Sequence, residues 1–131
     1  MKRFNTYLLG AALCIAAAPV VAGDFDGSKP LICSTIEVDD CALGVTCEKG
    51  IAEDINVPQF VRLDFAAKTM SARGRTTTMQ VESQGEGMLV AQGFENGRAW
   101  SITINEQNGK LVGAIAADEE GFLIFGACTP Q

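Results

Sequence analysis

Cys33, Cys41, Cys47 and Cys128 are the residues of this chain best suited to chemistry by type and spacing. As thiolates they could hold a soft metal or exchange a disulfide; oxidised, they become covalent staples. The gaps between them decide. Seven residues separate Cys33 from Cys41 and five separate Cys41 from Cys47, so neither a zinc-type nor a redox-type C-x-x-C pair is present. Four cysteines allow three pairings. Gly44 permits the tight turn that a Cys41–Cys47 clasp requires, and that clasp would leave Cys33 to join Cys128 across the chain.

The chain contains no histidine. Serine and cysteine hydrolases with a histidine base are therefore excluded, as are histidine-ligated zinc and haem. Sixteen Asp and Glu remain for acid-based hydrolysis, but no local pattern selects a catalytic pair among them. Asp24 and Asp26 resemble the start of a calcium loop, yet its twelfth position is Thr35 where a Glu is needed. Glu37, Asp39 and Asp40 could face Asp118, Glu119 and Glu120 around a hard cation, although solvated turns account for them better. Arg62 and Asp64, two apart on a strand, read as a surface charge pair. Lys68 and Ser71 stand in the reverse order of an S-x-x-K motif. The expectation is no catalytic residue, no metal and no cofactor.

Two groups invite a binding role. Arg73, Gly74 and Arg75 form the only basic cluster of an acidic chain, and a hairpin over 73–78 would offer them to a partner. Trp100 and Ile102 share a strand face, and with Phe122 they could line a ligand cavity inside a β-structure. The small residues Gly113, Ala114, Ala116 and Ala117 would either leave room in that interior or fit a crowded one.

Residues 1–22 read as a secretory leader. Lys2 and Arg3 form its basic start, an apolar run covers 8–18, and Val20 and Ala22 are small enough for cleavage before Gly23. Leu13 before Cys14 argues against lipidation there, and no later stretch is apolar enough to span a bilayer as a helix. Without Lys2 and Arg3 the 10 basic residues become 8 against 16 acidic ones, a net −8. Such a charge disfavours nucleic acid and anionic lipid surfaces. Export and cysteine pairing place the protein in the periplasm or outside the cell.

These residues must be positioned by one domain over 23–131. Short runs with period-two alternation predict about eight strands, at 31–38, 60–65, 69–74, 77–82, 88–94, 98–105, 110–117 and 122–127. Glu95-Asn96-Gly97 and Asn108-Gly109 signal hairpins. Ile51 and Ile55 could share one face of a helical turn before Pro58. The reading is all-β: an antiparallel meander that closes, or nearly closes, into a small barrel, with a two-sheet sandwich as the alternative. A Cys33–Cys128 bond would favour closure by holding the first and last strands together.

Cys33, Cys41 and Cys47, the run 55–65 (INVPQFVRLDF), the run 95–100 (ENGRAW) and the ending 121–130 together resemble a group of small exported, disulfide-containing proteobacterial β proteins. That resemblance implies an exported β-rich fold and no active site. The segment 70–74 (MSARG) separately resembles a contact loop of small exported β-barrels that inhibit lysozyme, without their Tyr- and Lys-bearing motifs. The expected function is a non-catalytic binding or accessory module for a small apolar ligand or a periplasmic protein. The alternatives are an inhibitor acting through Arg73, Gly74 and Arg75, and an acid-based hydrolase.

Overall fold

Alternating apolar residues and Xaa-Gly turns produce a sheet here rather than helices. The computed structural model describes residues 23–131, so the leader expected over 1–22 and Cys14 lie outside the described residues. Among the described residues there is no helix, and ten strands form. They are β1 (Leu31–Ala42), β2 (Glu48–Gly50), β3 (Phe60–Asp64), β4 (Thr69–Ala72), β5 (Arg75–Thr78), β6 (Val81–Gly85), β7 (Met88–Glu95), β8 (Arg98–Asn105), β9 (Lys110–Ala116) and β10 (Glu120–Pro130).

All pairings are antiparallel, in the order β5-β4-β3-β1-β10-β9-β8-β7-β6, with β2 beside one end of β1. The first and last long strands do pair, and Cys33 bonds to its register partner Cys128 in mid-sheet. The expected closed barrel is nevertheless not formed: the sheet is an open half-barrel. Its gap lies between β5 and β6, which are consecutive in the chain yet occupy opposite edges.

The cause is local. The expected strand 77–82 breaks at Met79 and Gln80, which contain none of the Gly, Asn or Asp that a two-residue hairpin needs. The chain instead bends at Gln80 and changes partner. Met79 N–H donates to the Lys68 carbonyl on one side (2.9 Å), and Gln80 N–H donates to the Gln92 carbonyl on the other (2.8 Å). One tie of two residues thus spans the gap.

Three hairpins follow a single rule. Arg73-Gly74, Glu86-Gly87 and Asn96-Gly97 all carry positive φ at both positions, from 48° to 77°, as type I′ turns require. In β1 the register slips between Thr35 and Glu37, and Ile36 bulges outward, 66 % exposed. That extra residue reverses the parity of the strand, so Cys33 before it and Val38 after it are both buried.

The concave face carries the main core, with Leu31, Leu63, Leu89 and Ile104 at its centre. The N-terminal segment covers the end of this core away from the Arg73-Gly74 and Asn96-Gly97 turns. There Phe25 packs against Gly109, and Gly27 meets Leu89 and Phe65. A second cluster joins Val38, Ala52, Ile55, Val57 and Phe122 beneath the loop 51–59. The helical turn expected there is absent. Ile55 is buried but Ile51 is 54 % exposed, and the loop is a run of turns tied by Val57 N–H to the Ala52 carbonyl (3.0 Å).

Candidate functional site

Period two along each strand sends every second side chain into the concavity. On β8 these are Arg98, Trp100, Ile102 and Ile104; opposite them on β9 stand Ile115, Gly113 and Leu111. On the far side, Met70 and Ala72 of β4 face in beside Thr77 and Arg75 of β5. Between these walls lies a cavity of about 400 Å³, within the roughly 300–1,000 Å³ typical of small-molecule sites.

Its deeper wall is apolar, formed by Val61, Met70, Ile102, Leu111, Ile115 and Ile124. Gly113 helps to keep it open. A Cβ there would lie 3.4 Å from Ile124 and 3.8 Å from Ile102, so a large side chain at this position would enter the space between them.

Trp100 is 8 % exposed and also lines the cavity. Its orientation depends on its cross-strand partner Gly93. A Cβ at Gly93 would stand 2.6 Å from indole Cε2 and closer still to Cζ2, so only a bare backbone admits the ring. Trp100 Nε1 is buried without a hydrogen-bond partner. Such a group costs about 1–3 kcal/mol, which must be offset by the packing of the large ring.

The rim is cationic. Arg73, Arg75 and Arg98 line it, and Glu95 is the one carboxylate among the lining residues. Arg73 Nη1 donates to Asn56 Oδ1 (3.0 Å) and Nη2 to the Val57 carbonyl (3.1 Å). Arg98 Nη1 donates to the Ile55 carbonyl (3.1 Å), and its guanidinium lies 5.4 Å from the Phe122 ring centroid, a cation–π distance. Two arginines from different hairpins therefore clamp the same loop at 55–57. All of these partners are uncharged, so neither cation is neutralised. Arg75 is exposed and makes no side-chain bond with the described residues.

Trp100 and Ile102, expected to line a cavity, thus share one with Arg73 and Arg75, expected to form a separate partner-contact loop. Phe122 does not line it: it belongs to the second cluster and supports Arg98 from behind. Gly74 serves the turn, with nothing within 4 Å of where a Cβ would stand. The sequence reading missed Arg98, which precedes Trp100 by two and so had to share its face.

The remaining chemical candidates lie elsewhere. Cys41–Cys47 clasps a loop near β2, and both disulfides fit an oxidising compartment. The described residues contain no group of three or more Cys, Asp or Glu arranged to hold a metal. Arg62 and Asp64 form their surface ion pair at 3.2 Å. A hydrogen bond from Ser28 lowers the pKa of Asp26 below its ordinary value, and Glu37 raises that of Lys49; neither residue lines the cavity. No described helix is long and apolar enough to cross a membrane. No family model, curated protein or solved structure matches the chain.

Proposed function

We propose that this protein is a non-catalytic, exported binding module that holds a small apolar ligand in the concavity of its half-barrel. The observation that carries the reading is the cavity itself: about 400 Å³, with an apolar deeper wall and Trp100 at its side. A core built for stability alone would be filled to interior density, since unfilled volume lowers stability. With Glu95 as the one lining carboxylate, this site lacks the acid pair of a glycoside hydrolase. The inhibitor reading has less support, because the Arg73 guanidinium turns back onto Asn56 and Val57 instead of projecting from the hairpin.

The test uses the disulfide-intact protein and the neutral fluorescent probe N-phenyl-1-naphthylamine. Probe emission should rise on binding, and Trp100 emission should change with it. Gly113→Leu, which fills the space between Ile102 and Ile124, should abolish both responses. Binding that is absent from the wild type, or unchanged in the folded variant, would overturn the reading.

A further inference from the structure

Three of the four arginines beyond residue 22 (Arg73, Arg75 and Arg98, with Arg62 the exception) gather at the mouth of one apolar cavity. They do so in a chain whose residues beyond the leader carry a net −8. With Glu95 as the opposing charge, the rim carries a local excess of two positive charges. Bonds to the loop 55–57 account for Arg73 and Arg98 but not for Arg75, which has no hydrogen bond or ion pair among the described residues.

The polarity also has a direction. Along the inner face of β8 the order inward from the hairpin end is Arg98, Trp100, Ile102, the two outer members half-buried and Trp100 buried between them. Four residues of strand make this about 13 Å from cation to aliphatic wall. The other side repeats the order, with Arg75 and Arg73 outermost and Met70 within. The far end of the concavity is filled by the main core, with Phe25 packed against it, so a ligand must leave its polar end at the arginines.

We infer that the ligand is a single-chain amphiphile with an anionic head, of the fatty-acid type, bound tail inward. The inference rests on the cavity being a ligand site and adds the chemistry of the ligand. The volume suits one chain of medium length and not the two chains of a phospholipid. A planar carboxylate matches the paired N–H groups of a guanidinium. Arg75 is the residue free to meet the head group, while Arg73 and Arg98 hold the loop 55–57 and contribute field.

The experiment compares dodecanoate with dodecanol, same chain and uncharged head, by Trp100 fluorescence titration below their aggregation limits. Dodecanoate should bind at least about tenfold more tightly, as one charge-assisted contact allows, and the difference should shrink in high salt. Arg75→Gln, which removes no hydrogen bond or ion pair among the described residues, should erase most of that preference while dodecanol affinity is retained. Equal binding of both probes would overturn the anionic head group while the apolar site stands. Loss of dodecanol affinity in Arg75→Gln would show a structural role and overturn the assignment of that arginine. Binding of neither probe would remove the cavity reading and this inference with it.

Discussion

At the scale of single residues, the cavity depends on two glycines that act by lacking a side chain. Neither Gly93 nor Gly113 has a positive φ, so neither is needed for backbone freedom. Gly93 admits the Trp100 ring, and Gly113 leaves the gap beside Ile102. Gly93→Ala should therefore displace the indole, cost about 1–3 kcal/mol in urea unfolding and shift Trp100 emission. Unchanged stability and emission would refute this account of the ring's placement. Charge at the surface gives a second test. The Glu37 carboxylate, hydrogen-bonded to Lys49, raises the lysine pKa above 10.5. The support from this pair is thus fully present below pH 10.5 and fades as pH rises through the raised value. NMR titration should place Lys49 above 10.5 in the wild type and return it toward that value in Glu37→Gln.

At the scale of elements, the hairpins were legible because their signals are local. Asn96-Gly97 predicts a turn without knowledge of anything beyond it, and alternation predicts which face of β8 carries Trp100. The break at Met79-Gln80 was not legible: alternation runs through it, and only the change of partner from β4 to β7 divides β5 from β6. Strand β2 was missed for a related reason, since three residues are too short for a period to register. The shared cavity of Trp100 and Arg75 was hidden by the same break, because it depends on which strands face each other across the gap. Met79 is 2 % exposed and anchors the crossing in the main core. Met79→Ala should cost about 2–5 kcal/mol, read from denaturant midpoints, and should accelerate amide exchange in β5 and β6 first. Uniform acceleration across all strands would mean that the crossing is no separate weak point.

At the scale of the whole molecule, the two disulfides contribute unequally. Cys33–Cys128 spans 95 residues of sequence and Cys41–Cys47 spans 6. Loop-closure entropy gives about 4.7 kcal/mol for the first and about 2.4 for the second. Chemical denaturation of Cys33→Ala/Cys128→Ala should show about twice the loss seen in Cys41→Ala/Cys47→Ala. Equal losses would point to native-state effects in place of chain entropy. The long bond staples β1 to β10 at the centre of the sheet and leaves the gap between β5 and β6 without a covalent lock beyond its two-residue tie. A barrel closed by hydrogen bonds has a fixed girth, because widening it breaks a ladder. Here the walls could part about the Met79-Gln80 tether with every strand pairing intact, at the expense of the arginine bonds to the loop 55–57. The molecule is a spring clip with a stapled back, and for the ligand site proposed above the tolerance for guests of different girth would be set by the bending stiffness of a sheet.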